Sequence, residues 1–501
     1  MSLEAPLSSV QTRATQGPAP GGLGRGLFAS DNINIGEDVL HITSPFVAVL
    51  DTQRLGDTCS GCLGSYHLQQ RSPTLNRCAG CKVVKYCNRA CQTKDWKYIH
   101  SLECPIFNNL SPRILPSNAR ALLRIVLRSG RKRYSDEELD LFFQLETHIK
   151  EIRDQNPAQW ERIALTSKAV KAYSGTDIKE ELISTFGAKL ELNSFNLTNA
   201  FYDRIGLYIH PYAAILNHNC NYNAVVGFEA EQLYIKAIRP IQKGEQIFIS
   251  YIDTTNPVHI RRNQLRERFY FDCECPKCQQ DHLSKPDDSP QTSHAQNLSA
   301  LKSAEKDAYE FLHDCPAASD LDPKETAAKL QSYIRFLSQT YSWPVTRQPL
   351  VSLRDELIVS LLSASNNNSA LVQSAIRYLR IDPIVYEDKR HPIRQQHAYT
   401  MAKVAHAAIA MNTDMTLLAL VRPLLTLEPR LIAWSVLSRL VETQSEACTV
   451  PKLQCMIRSD FDDLNRWFAQ HGMDPTKRED DIWNEWKKIE LLVDAALGEG
   501  Y

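Results

Sequence analysis

Eleven of the 14 cysteines in this 501-residue sequence stand at spacings that suit metal ions. Four ligand pairs fall within residues 59–104: Cys59-x2-Cys62, Cys78-x2-Cys81, Cys87-x3-Cys91 and His100-x3-Cys104. A two-residue gap lets both thiolates of a turn reach one ion, and a three-residue gap puts two ligands on one helix face. Zn²⁺ takes four tetrahedral ligands, so four pairs make two sites. Spacing leaves open which pair joins which, but isolated buried thiols would not recur in four such pairs. Further along, Cys273-x-Cys275-x2-Cys278 offers three more thiolates. Cys220 is the candidate for the fourth, a buried core thiol being the alternative reading. An open three-ligand catalytic zinc also satisfies the triplet, although no HExxH-like partner is present. With Cys220 counted, eleven Cys and His100 make twelve ligands, hence three structural zinc ions.

The rest of the composition sets bounds. Lys plus Arg is 57 and Asp plus Glu 58, a net charge of -1. That excludes a basic field over the whole chain for gripping nucleic acid, and equally an acidic solvating chain. Residues 59–104 carry seven Lys/Arg and two Asp/Glu. A Cys₄ and a Cys₃His site bring formal charges of -2 and -1, leaving about +2 for the block. Strong nucleic-acid binding is not expected of it, and a structural or peptide-docking role is. No run of about 18 apolar residues occurs, so no membrane-spanning helix is expected. Residues 1–20 lack a basic and then apolar leader, so a secretory signal is not expected either. Tight Cys pairs without a leader point to a reducing compartment, and the expected locations are cytoplasm and nucleus.

The elements that must position these residues give an α+β chain. Residues 1–22, ending Gly17-Pro18-Ala19-Pro20-Gly21-Gly22, read as flexible. Strands are expected at Glu37–Ile42 and Pro45–Leu50, helices over 112–190, and strands again at Ala224–Phe228, Leu233–Ile238 and Gln246–Tyr251. Lys243-Gly244-Glu245 reads as a turn. Arg131-Lys132-Arg133, followed by Asp136, Glu137 and Glu138, reads as a solvated helix end. A polar linker follows, and helices are expected near 297–314, 323–341, 347–365, 368–380, 391–411, 413–426, 430–444 and 459–470. Helix pairs of this length suggest a tetratricopeptide-like array, an irregular helical domain being the alternative. The expected divisions are 1–58, 59–104, 105–190, 191–255, 256–282, 283–296 and 297–501.

The Cys-rich block, with Lys85-Tyr86-Cys87 and Asp95-Trp96, resembles a MYND zinc finger. That resemblance implies interleaved sites: Cys59, Cys62, Cys87 and Cys91 on one ion, and Cys78, Cys81, His100 and Cys104 on the other. Three further stretches resemble the second half of a SET domain with its post-SET zinc loop at 256–282. They are Asn217-His218-x-Cys220-x2-Asn223, Gly244-Glu245-x4-Ser250-Tyr251 and Phe271-x-Cys273-x-Cys275-x2-Cys278. Gly24-Arg25-Gly26-Leu27 resembles the first half. A SET domain split by a MYND finger is the arrangement of the SET-and-MYND protein lysine methyltransferases, and the helical C-terminal region is similar to theirs.

What the resemblance implies is a methyltransferase using S-adenosylmethionine and three Zn²⁺, acting on lysine of histone or non-histone proteins. Gly24, Arg25 and Gly26 match the turn that cups the cofactor, and Asn193, Asn217 and His218 match further contacts. Tyr251 matches the catalytic tyrosine, which also faces the cofactor. Phe271 matches an aromatic wall, and His148 a contact from the helical insert. The usual Asn-His-Ser-Cys-x-Pro-Asn reads Asn217-His218-Asn219-Cys220-Asn221-Tyr222-Asn223 here, which keeps the ligand and frees φ at 222. The chemistry fits these residue types, because transfer to lysine needs a neutral amine and an aligned methyl group. Ile249, two residues before Tyr251, leaves room for more than one methylation. The other class of function is a zinc-finger adaptor with a degenerate SET core, recruiting proteins through the finger and the helical array.

Overall fold

The computed structural model describes residues 9–65, 74–283, 295–314, 322–341, 343–408 and 427–498. The chain forms two compact units. One comprises Met1–Ile252, Arg262–Cys275 and Val450–Leu453, the other Asp253–Arg261, Pro276–Thr449 and Gln454–Tyr501.

The first unit is built on small sheets whose strands are short and rich in β-branched and aromatic residues. One runs in the order Val10–Thr12, Asp38–Ile42, Gln232–Ala237, Ala224–Glu229. A second runs Asn217–His218, Gln246–Ile249, Arg25–Ala29, Ala14–Pro18, and a third Val47–Leu50, Arg204–Ile209, Phe195–Thr198. Their facing side chains, among them Leu27, Val39, Ile42, Phe46, Val47, Ile235 and Ile247, are fully buried and form one core. Burying each such side chain is worth roughly 1.5–3 kcal/mol. The turn at Gly244 has φ +82 and leads into Gln246–Ile249 as its sequence suggests.

Residues 10–18 are not the flexible tail expected of them. Val10–Thr12 pairs antiparallel with Asp38–Ile42, and Ala14–Pro18 pairs with Arg25–Ala29. The Gly/Pro-rich stretch after them is the turn of that hairpin. Pro18 sits in an edge strand, where its missing N–H breaks no ladder.

The finger leaves the core after Val47–Leu50 and returns through the helix Ser117–Gly130, which packs on that strand. Ser135 caps the helix Asp136–Phe143 in a capping box with Glu138, so the acidic triplet is a helix first turn. Phe142 then stacks on Phe46, with centroids 4.7 Å apart, and ties the insert to the core. The helices Pro157–Ser174 and Glu180–Asn193 complete the insert. Residues 256–282, expected as a loop, hold the helices Val258–Phe269 and Pro276–Leu283, with Cys273 and Cys275 between them and Cys278 in the first turn of the second.

In the second unit successive helices pack on one another: Pro323–Tyr341 on Leu350–Ser363, then Asn367–Ile376, Pro392–Ala407 and Pro429–Glu442, which meets Glu479–Gly498. That last helix, and the first turns of Pro451–Gln470, are not read from the sequence. The helix expected at 413–426 and most of the linker at 283–296 lie outside the described residues. No helix among the described residues is long and apolar enough to cross a membrane.

Candidate active site and metal centres

The twelve expected ligands gather into three groups: Cys59, Cys62, Cys87 and Cys91; Cys78, Cys81, His100 and Cys104; Cys220, Cys273, Cys275 and Cys278. Within each group the ligand atoms all lie within 4.8 Å of one another. Sulfur–sulfur distances are 3.3 Å for Cys87–Cys91, 3.9 Å for Cys62–Cys87 and 3.7 Å for Cys78–Cys104. Thiolates about 2.3 Å from a tetrahedral Zn²⁺ stand about 3.8 Å apart, so the donor sets fit that ion. Without a cation such crowding opposes ionisation: burial and the neighbouring sulfurs push the Cys91 thiol up to about 12. The zinc ions would be held by these sulfurs and by His100, in a structural role.

Two glycines missing from the sequence reading shape the finger. A Cβ on Gly61 would stand 2.4 Å from the Cys91 carbonyl oxygen, and one on Gly80 2.7 Å from Cys104 Sγ. The signal was present, since both turns read Cys-x-Gly-Cys.

His100 Nε2 lies 3.3 Å from Cys78 Sγ and 3.6 Å from Cys81 Sγ, while Nδ1 faces Glu103 at 3.8 Å. Glu103 is fully buried and accepts two bonds from Arg124, at 2.7 and 3.0 Å. Burial alone would raise the Glu103 carboxyl, but the guanidinium beside it holds it down to about 2. Arg124 Nη1 also donates to the Ala48 carbonyl at 2.7 Å, so one side chain keys the finger's second site to the core sheet.

His218 joins the third cluster to the reactive centre. Asn217–His218 forms a short strand parallel to Phe248–Ile249, locked by Asn223, whose Oδ1 accepts from Phe248 N at 2.8 Å. A backbone N–H can only donate, so the 3.1 Å bond from Tyr251 N makes His218 Nδ1 the acceptor. That puts the imidazole proton on Nε2, 3.3 Å from Cys220 Sγ.

Beside this strand lies a cavity of about 420 Å³, within the usual range for small-molecule sites. Its polar lining comes from Arg25, Gln144, Glu146, His148, Asn193, Asn217 and His218, and its apolar lining from Leu23, Leu145, Leu192, Ala214, Ile215, Tyr251, Phe269 and Phe271, with Gly22 and Gly24. Gly24 turns at φ +69, which an L side chain would resist. Arg25 donates to the Gln144 side chain at 2.7 Å and to its carbonyl at 3.0 Å, and Asn217 Nδ2 donates to the Arg25 carbonyl at 2.8 Å.

The helix Glu180–Asn193 supplies the remaining fastenings. Lys189 donates to the carbonyls of Phe143 and Leu145, and Asn193 Nδ2 to that of Glu146 at 2.9 Å. All four carbonyls from 143 to 146 are therefore taken by side chains of Lys189, Arg25 and Asn193. Glu146 accepts from the backbone N–H groups of Thr147 and His148, which hold its carboxyl below the usual range. Such a carboxylate can accept from a ligand hydroxyl or ammonium. Tyr251 donates its hydroxyl to the Leu216 carbonyl at 2.5 Å. Burial pushes this phenol well above its ordinary value. Its ring centroid lies 4.8 Å from Phe269 and 5.4 Å from His218, and Phe271 lies 6.0 Å from His218.

The structure thus brings Gly24, Arg25, His148, Asn193, Asn217, His218, Tyr251 and Phe271 to one cavity. Gly26 is the exception, because it does not line it. A Cβ there would stand 2.6 Å from Gln246 Nε2 and 3.2 Å from Asn217 Nδ2, so Gly26 serves the packing behind the wall. Sequence reasoning missed Gly22, Leu23, Gln144, Leu145, Glu146, Leu192, Ala214, Ile215 and Phe269.

Residues 24–252 match the SET domain family. The chain is 27% identical over 381 residues to SET domain and MYND-type zinc finger protein 6 of Schizosaccharomyces pombe, covering 76% of this chain and 70% of that protein. It is 30% identical over 262 residues to histone-lysine N-methyltransferase SMYD3 of Mus musculus, covering 51% of this chain and 59% of the mouse protein, less than two thirds of its length. It is 23% identical over 424 residues to histone-lysine N-methyltransferase ASHR1 of Arabidopsis thaliana, covering 76% and 84% of the two chains. A SET core interrupted by a finger with two zinc-ligand sets, and followed by a third set beside Tyr251, agrees with these likenesses. Residues 24–252 are thus similar to the SET domain, and the chain is similar to proteins that join a SET domain to a MYND-type zinc finger.

Proposed function

We propose that the protein is a protein-lysine N-methyltransferase using S-adenosylmethionine. The observation that carries this reading is the single cavity that brings Arg25, Asn193, Asn217 and His218 together with Tyr251, Phe269 and Phe271. S-adenosylmethionine, when bound, supplies an electrophilic methyl group on a sulfonium. Arg25, Glu146, His148, Asn193 and Asn217 are the residues that would hold its polar groups. Free lysine titrates near 10.4, so the site must favour the neutral amine. Tyr251, Phe269 and Phe271 do so by excluding water around it. The Tyr251 proton is committed to the Leu216 carbonyl, so the phenol oxygen presents a lone pair and can accept from an incoming amine. No residue need take a proton in the transfer step itself, and most of the rate comes from alignment.

The substrate is a lysine side chain of a protein, and relatives are named for histone-lysine or N-lysine methylation. Partner docking on the finger, without strong nucleic-acid or membrane binding, is supported by the finger's small net charge once its thiolates are counted. Residence in cytoplasm and nucleus is supported by the reduced thiols that three zinc sites need. The test is incubation of the purified chain with S-adenosylmethionine and a cell extract, followed by mass spectrometry of lysines. Methylated lysines that vanish with the Tyr251→Phe variant are the expected result. Absence of both methylation and calorimetric binding of S-adenosylmethionine would refute the reading and leave the adaptor in its place.

A further inference from the structure

Tyr270 occupies the residue just after the helix Val258–Phe269 and has φ +61. Its N–H donates to the Arg266 carbonyl at 3.2 Å, closing the helix in the left-handed cap that ordinarily takes Gly or Asn. A bulky side chain is held there against its steric preference. Strain of this kind persists where the surrounding structure makes use of it. The ring of Tyr270 faces that of His148, centroids 5.5 Å apart, and its hydroxyl donates to Gln159 Oε1 at 2.9 Å. His148 is itself left-handed, at φ +44, and lines the cavity. The neighbours of Tyr270 on either side, Phe269 and Phe271, line it too. Two residues in disfavoured backbone conformations, 122 positions apart in the chain, therefore meet ring to ring. His148 lines the cavity itself, and Tyr270 lies between two residues that do.

We propose that Tyr270 is a positioning residue that clasps the 146–148 wall to the 269–271 wall and so sets how long the cofactor and its demethylated product stay bound. A glycine would serve the helix cap without strain, so the tyrosine is retained for its ring. The inference rests on the methyltransferase reading.

The test is the dissociation rate of S-adenosylmethionine from the full chain, by stopped-flow, for wild type, Tyr270→Gly and Tyr270→Phe. Glycine suits the left-handed cap, so Tyr270→Gly should melt within about 3 °C of wild type. It should release S-adenosylmethionine roughly 3–10-fold faster, the range for loss of one ring contact. Tyr270→Phe keeps the ring and should stay within about 2-fold of wild type. An unchanged rate in Tyr270→Gly, or a Tyr270→Phe variant that releases the cofactor as fast as the glycine variant, would overturn the clasp. So would a glycine variant that melts far lower, since Tyr270 would then be a core residue. Failure of the wild type to bind S-adenosylmethionine would instead sink the methyltransferase reading, and the clasp with it.

Discussion

Tyr251→Phe is the most discriminating single change, because the structure divides its effects between stability and rate. The substitution deletes one hydroxyl and keeps the ring against Phe269 and His218. The bond lost is the 2.5 Å donation to the Leu216 carbonyl, which leaves that acceptor without its phenol partner. A neutral hydrogen bond of this kind contributes roughly 0.5–1.5 kcal/mol. In a unit of this size that is a fall in Tm of about 1–6 °C. The packing is therefore not quite indifferent to the change, as a core tyrosine alone would be. The bond from the Tyr251 backbone N–H to His218 Nδ1 does not involve the hydroxyl and survives. Cofactor affinity should move by less than about 3-fold, since the hydroxyl is bonded to the Leu216 carbonyl and the ring stays in place. Turnover should fall by roughly 10²-fold or more, the effect of misplacing reacting groups. Methyl transfer to a lysine substrate, calorimetric titration with S-adenosylmethionine and a melting curve separate the three quantities. Methylation at near wild-type rate would refute the role of the hydroxyl in alignment. A loss of affinity as large as the loss of rate would make Tyr251 a binding residue instead.

Elemental analysis should find three zinc ions per chain, and Cys275→Ser should hold two and bind S-adenosylmethionine more weakly, because the Cys triplet follows Phe271 directly and Cys220 supports His218. Two ions in the wild type would remove the third cluster from the metal sites. Arg124→Met strips buried Glu103 of its partner and should cost about 3–5 kcal/mol, read from the denaturant midpoint; a cost under about 1 kcal/mol would mean the carboxylate finds water or a proton. Lys189 gives a pH signature. Burial draws its ammonium down to about 8, against about 10.4 in the unfolded chain. Between those values the unfolded chain binds more protons, so stability should rise with pH across that window. Lys189→Met should flatten the rise, and an identical pH profile in the variant would show that Lys189 stays charged when folded.

The metal ligands were legible because thiolate pairs announce themselves by spacing alone, and Tyr251 and Asn217-His218 because they stand in short motifs. What the sequence concealed follows from physical causes. Val10–Thr12 and Ala14–Pro18 are edge strands whose partners, Asp38–Ile42 and Arg25–Ala29, are chosen by tertiary pairing, and Gly/Pro composition beside them reads as loop. The helix Val258–Phe269 buries Arg261, Leu265 and Phe269 on one face. An arginine in that stripe breaks the apolar period by which a helix is recognised. Gln144 and Leu145 bring backbone carbonyls to the fastening of the wall, and a role played by backbone leaves no residue signature. Phe269 was hidden by its place at a helix end, turned into the cavity by the left-handed residue after it.

The order in which the cavity's walls appear along the chain bears on how the protein is made. The finger's ligands are complete once residue 104 has emerged, and each set can close on its own ion. The cavity needs pieces from 22–25, 144–148, 192–193, 214–218, 251 and 269–271. At roughly 5–20 residues per second, synthesis needs about 10–30 s to pass from residue 104 to residue 271. During that interval a metallated finger is tethered to Val47–Leu50, whose sheet partner Arg204–Ile209 arrives about 150 residues later. Such long sequence separations slow folding. An early, locally closed zinc module would give the exposed strand a covered neighbour while it waits, and zinc-starved synthesis would leave an apolar strand open to the wrong partner.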